Sequence, residues 1–167
     1  LANAVTRISE VIGKLGLDQG ILRKVSREEN HENKQTAILS ALKMGALSGL
    51  IFMLIQIALA GYLAENIFNQ SSLLTKVITI HALSLPFYII LHISAFSTQA
   101  YKLLKYKIAV TEIQNPLILL LAMLVCYFFY SAESAIIIPV VLSAVLGCIT
   151  ITIFLKKVSG VNILSLK

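Results

Sequence analysis

Twenty-one consecutive residues without Asp, Glu, Lys or Arg, MGALSGLIFMLIQIALAGYLA from Met44 to Ala64, constrain this chain more than anything else in it. At 1.5 Å of rise per residue such a stretch makes a helix ~30 Å long, the thickness of bilayer hydrocarbon. A helix buried in a water-soluble protein rarely needs that length. Three more uncharged runs of similar size follow, Val77 to Tyr101, Ile113 to Ala132 and Ser134 to Leu155. The expected fold class is all-α and polytopic, with transmembrane helices over residues 40–64, 77–101, 113–132 and 134–155. An amphipathic or partial transmembrane helix over residues 1–15 precedes them, and no separate soluble domain is expected.

Composition agrees: 57% of the residues are hydrophobic and 13% charged, a departure from soluble averages toward the bilayer. The net charge of +6 reports orientation when its cations lie near span ends, so no nucleic-acid partner is needed to explain it. No secretory signal is visible at the start, and the missing initiator Met suggests a fragment. Cys126 and Cys148 fall inside expected spans, where they read as small apolar packing groups. With no CxxC or Cys/His ligand spacing, neither a metal nor a cofactor is expected.

In LANAVTRISEVIGKLGL, residues 1–17, Val5, Ile8, Val11 or Ile12, and Leu15 recur at helical spacing while Arg7, Glu10 and Lys14 gather on the other side. Either the helix lies in the membrane interface, or it spans with its charged stripe facing a water-filled cavity, because a lipid-facing Arg costs several kcal/mol. The segment from Gly16 to Gln35 is a polar connection, a loop or short surface helix, in which Asp18 reads as a helix cap and Arg23 as solvated. In the first full span, Ala41, Gly45, Ser48 and Gly49 form a small-residue face for a close neighbour, and Gln56 is placed for an interhelical hydrogen bond.

The second span carries a polar stripe. His81, Ser84, Tyr88, His92, Gln99 and Lys102 fall within about 80° of one another at 100° per residue. Such a stripe should not face lipid; it either hydrogen-bonds to adjacent helices or lines an aqueous path. Pro86, well inside the span, predicts a kink. Asn115 and Pro116 read as the cap and first residue of a helix that starts there. Ser131 to Ser134 is so short that the last two spans must form an antiparallel hairpin. The loop before the first span, the loop over 102–112 and the segment after 155 hold nearly all the loop cations, whereas the other side has only Lys76. The positive-inside rule makes the basic loops cytoplasmic in a multi-pass protein of the cell (plasma) membrane.

Three blocks, LGLDQGILRKVS at 15–26, HALSLPFYIILHISAFSTQAYKLLKYKI at 81–108 and QNPLILLLAML at 114–124, give the chain a resemblance that covers nearly its whole length. It resembles the membrane oligosaccharide (O-antigen and polysaccharide) flippases, within the superfamily that also holds the multidrug and toxin extrusion transporters. The resemblance implies that residues 1–167 are part of the N-terminal lobe, from the end of helix 2 through helix 6. It implies a transporter rather than an enzyme: alternating access would flip a polyprenyl-diphosphate-linked oligosaccharide across the bilayer for surface polysaccharide assembly. The implied partners are membrane lipid, the lipid-linked oligosaccharide and a coupling ion, H⁺ or Na⁺.

Such cavities are typically cationic, which makes Arg7, Lys14, Arg23 and Lys43 candidates for contacting the diphosphate. Glu10 would partly neutralise them. His81, Tyr88, His92 and Gln99 are candidates for the cavity wall. Lys43 can equally snorkel to headgroups. Two other readings stay open: a multidrug or cation antiporter of the same superfamily, and a non-transport membrane protein such as a glycosyltransferase or polymerase subunit. The antiporter would want a carboxylate inside a span, and the enzyme would want catalytic carboxylates on an external loop.

Overall fold

The computed structural model describes residues 1–69, 72–129 and 132–160. Every regular element among them is helical: α1 (Ala2–Gly13), α2 (Leu17–Arg27), α3 (His31–Tyr62), α4 (Ser72–Ala82), α5 (Leu85–Ala100), α6 (Leu104–Ile108), α7 (Asn115–Phe129) and α8 (Ala132–Ser159). Four stretches are long and apolar enough to cross a membrane: His31–Ile67, Leu73–Ala100, Leu104–Phe129 and Ile136–Ser159. The chain is an all-α polytopic membrane protein.

Side chains are distributed as the bilayer demands. Leu47, Leu54, Leu121 and Ile153 point outward, while Ser84, Ser94, Ser97, Thr98 and Ser143 are fully buried. In lipid, apolar surface gains nothing by turning inward, and polar groups must find partners inside the protein. Helix α5 is the most enclosed element, with α3, α8 and α2 packed around it.

Helix α3 begins earlier than the uncharged run does. The Asn30 side chain caps it, accepting from the Glu32 N–H at 2.9 Å, and His31 to Lys43 form its polar first turns. The small-residue face is used as expected. Gly45 receives Ile89 and Ile93 of α5, and a Cβ at Gly49 would stand 2.8 Å from the Pro86 Cα, so the two backbones cross in near contact. Gln56 joins three helices: its Nε2 donates to Thr6 Oγ1 of α1 at 3.0 Å and to the Ile78 carbonyl of α4 at 3.2 Å.

The second span is broken where the proline predicts. Leu83 and Ser84 form a turn between α4 and α5, and Pro86 sits in the first turn of α5, where its missing N–H does no harm. The third span departs from expectation. Asn115 does not cap a new helix; it has helical dihedrals, and the helix runs unbroken from Leu104 through the π-helical turn Ala109–Gln114 into α7. The wide turn just before Pro116 lets the helix pass a residue that cannot donate to the preceding turn. Helix α8 also holds an internal proline, Pro139.

Of the expected connection Ser131 to Ser134, Ser131 lies outside the described residues, as does the tail from Val161, while Ala132 to Ser134 already belong to α8. Helices α7 and α8 nonetheless pack on each other extensively. Cys126 and Cys148 are free thiols. One end of the bundle gathers the basic segments: Gln35 Nε2 donates to the Ser159 carbonyl at 2.8 Å, and the Lys34 ammonium lies 5.8 Å from the Tyr101 ring centre.

Candidate functional site

Helix α1 decides between its two readings by which face it hides. Ile8, Val11, Ile12 and Leu15 are all more than half exposed, whereas Thr6, Glu10 and Gly13 are buried against the bundle. A helix resting on a water-soluble surface would do the reverse. Its depth follows from its partners. Thr6 meets Gln56 and the Gly13 carbonyl accepts from Ser48 Oγ, both inside the uncharged run of α3, so Glu10 lies at the depth of hydrocarbon. The helix ends at Leu15 and Gly16, whose φ values of 50° and 71° lie in the left-handed region, costing Leu15 about 1 kcal/mol and glycine almost nothing. Gly16 then caps α2. Asp18 sits in its first turn, accepting from the Gln19 N–H at 2.8 Å, and is not the cap.

The Glu10 carboxylate is 2% exposed and gathers three cationic or basic groups. Oε1 lies 3.1 Å from Lys14 Nζ and 3.1 Å from His92 Nε2, and Oε2 is 3.3 Å from an Arg7 guanidinium nitrogen. Arg7 and Lys14 reach it along α1 at i+3 and i+4 spacing, and His92 comes across from α5. A buried carboxylate is tolerated only with such company. Arg7 and Lys14 are two fixed cations against this one carboxylate, so the cluster carries residual positive charge even with a neutral imidazole.

Beside the cluster lies a cavity of about 490 Å³, walled by Arg7 of α1, Tyr88 and His92 of α5, Asn115 and Leu120 of α7, and Ser143 of α8. Starting α5 after the Leu83–Ser84 turn places Tyr88 and His92 one helical turn apart on the cavity side. The Tyr88 hydroxyl is 3.3 Å from Ser143 Oγ, and the Arg7 guanidinium sits 5.6 Å from the Tyr88 ring centre, a cation–π contact that leaves most of its N–H donors free for a ligand. Asn115 reaches this wall because Gly147 of α8 leaves room for its amide.

The structure thus brings together Arg7, Lys14, Tyr88 and His92 out of the eight candidates. His81 and Ser84 are buried and bonded locally: His81 Nδ1 lies 2.9 Å from the Val77 carbonyl of α4, and Ser84 Oγ, in the turn that follows, donates back to the His81 carbonyl at 2.6 Å. Gln99 accepts from Lys107 Nζ at 2.9 Å toward the basic end. Arg23 and Lys43 are exposed on α2 and α3 and are not part of the cluster. The polar stripe therefore divides, its first part satisfied by packing and its middle facing a cavity. Glu10, the centre of the cluster, reads from the sequence only as a partial neutraliser of Arg7 and Lys14, although its spacing from them was a signal that could have found it; Asn115 and Ser143 gave no signal, since Asn before Pro reads as a cap and a lone Ser in an apolar helix reads as packing.

The chain matches no family model, no curated protein and no solved structure.

Proposed function

We propose that this chain is part of the N-terminal lobe of a flippase that moves polyprenyl-diphosphate-linked oligosaccharide across the cell membrane by alternating access, with its basic loops in the cytoplasm. One observation carries the reading: a net-cationic cluster, Arg7, Lys14 and His92 around Glu10, stands at the depth of hydrocarbon beside a polar-walled cavity. An unbalanced cation there is costly unless an anion visits it, and a diphosphate suits a guanidinium with free N–H donors. The three blocks quoted from the sequence support the same family. The test is export in cells producing the protein with Arg7→Gln. Surface oligosaccharide should fall at least tenfold, with lipid-linked precursor accumulating and membrane abundance unchanged; undiminished export would sink the proposal.

A second reading, an H⁺- or Na⁺-coupled antiporter of drugs or cations, is favoured by Glu10 itself, a carboxylate at membrane depth. Efflux of a cationic dye that depends on Glu10 and leaves surface oligosaccharide untouched would select it.

A further inference from the structure

The geometry points to a site that binds a diphosphate diester and a proton together: the ligand takes Arg7 and Lys14, and the Glu10–His92 pair takes up the proton. This deepens the flippase reading and rests on it for the class of ligand. The argument is one of charge. Arg7 and Lys14 are committed to Glu10 in the structure, at 3.3 and 3.1 Å. A doubly charged ligand entering beside Arg7 and His92 brings the local anions to three charges against two fixed cations. Inside a bilayer that imbalance is expensive, and the group able to correct it is the imidazole already 3.1 Å from the carboxylate. One proton on the Glu10–His92 pair restores neutrality, and it belongs to the pair rather than to either residue.

The other groups near the pair do not substitute for it. From α5, Tyr88 lies under Arg7. Glu112, in the turn before α7, reaches the same cavity but is exposed and accepts from Thr111 Oγ1 at 3.0 Å, so solvent screens its charge and it stays outside the count. Helix α3 brings Ser48 and Gln56 to α1, neither of them titratable. From α4, His81 lines a separate pocket with Leu1 to Asn3, about two helical turns from Glu10. By linkage, ligand and proton then each raise the affinity for the other, so acid favours loading and alkali favours release.

The test uses the protein in lipid nanodiscs and, as probe, dimethyl diphosphate, a diester whose two charges do not titrate near neutrality. Calorimetry in buffers of different ionisation enthalpy counts protons taken up on binding, and needs no variant. Uptake approaching one proton per ligand is expected in neutral buffer. Glu10→Gln leaves two fixed cations facing two ligand charges, so it should bind the probe on the order of tenfold more tightly with no uptake. His92→Gln should lose the uptake as well but bind more weakly. Opposite changes in affinity with the same loss of uptake are not what a damaged fold produces. Binding without proton uptake in the unmodified protein, or weaker binding by Glu10→Gln, would overturn the coupling and leave the flippase reading standing. No binding by either the unmodified protein or Glu10→Gln would overturn both. A short-chain prenyl methyl diphosphate that displaces the probe at much lower concentration supports a lipid-linked ligand; equal displacement would overturn the lipid-linked reading alone.

Discussion

Gly49 and Gly61 lie in the same helix and should answer the same substitution in opposite ways. At Gly49 an alanine Cβ would press on the Pro86 backbone at 2.8 Å, which cannot rotate aside as a side chain can, and overpacking of this kind costs about 1–3 kcal/mol. At Gly61 nothing lies within 4 Å of the new methyl, so alanine should gain up to ~1 kcal/mol from helix propensity. Thermal denaturation of both variants in one detergent should move the midpoint down for Gly49→Ala, and up or not at all for Gly61→Ala. Gln56→Leu should lower it modestly: it removes two interhelical hydrogen bonds, each worth ~0.6 kcal/mol in membrane proteins. The small-residue face and Gln56 were readable beforehand, because a lone amide or a row of glycines in a lipid-spanning run has few other uses. Tyr88 and Ser84 were not separable in that way. They share a stripe, and only the position of α8 decides that one meets a cavity and the other a carbonyl.

Counting uncharged runs locates spans and does not say where helices stop. Helix α3 continues through thirteen polar-leaning residues below its run, His31 to Lys43, and α6 joins α7 through Tyr106 to Gln114, since a bilayer limits which residues it accepts without limiting helix length. Helix α1 is the element that its sequence leaves most open. Its periodicity was plain, but an amphipathic pattern is the same whether the apolar face meets lipid or core; contact with α3 and α5 settles it. The exposed face of α1 is therefore expected to touch acyl chains. The chain contains no tryptophan, so a single Trp reports alone. Val11→Trp should be quenched by brominated lipid about as strongly as Leu121→Trp on the outward face of α7. An unquenched Trp at Val11 beside a quenched one at Leu121 would return α1 to a protein-covered position.

At the scale of the molecule, the contacts of Gln35 with Ser159 and of Lys34 with Tyr101 gather the basic segments at one end, as the alternation of charged loops implied. If that end is cytoplasmic, a cysteine at Glu65 should react with an impermeant thiol reagent on intact cells, while cysteines at Glu29 and Lys105 should wait for permeabilisation. The reversed pattern would invert the orientation. The inward hydroxyls and outward aliphatic side chains carry a thermodynamic consequence as well. Water-soluble proteins absorb about 12–15 cal/mol/K per residue on unfolding because apolar surface meets water. When these helices part within a bilayer they exchange one another for lipid tails, so little of that heat-capacity change should accompany the event. The free energy of helix association should then run nearly straight with temperature, and chilling the membrane should not loosen the bundle as cold loosens a water-soluble core.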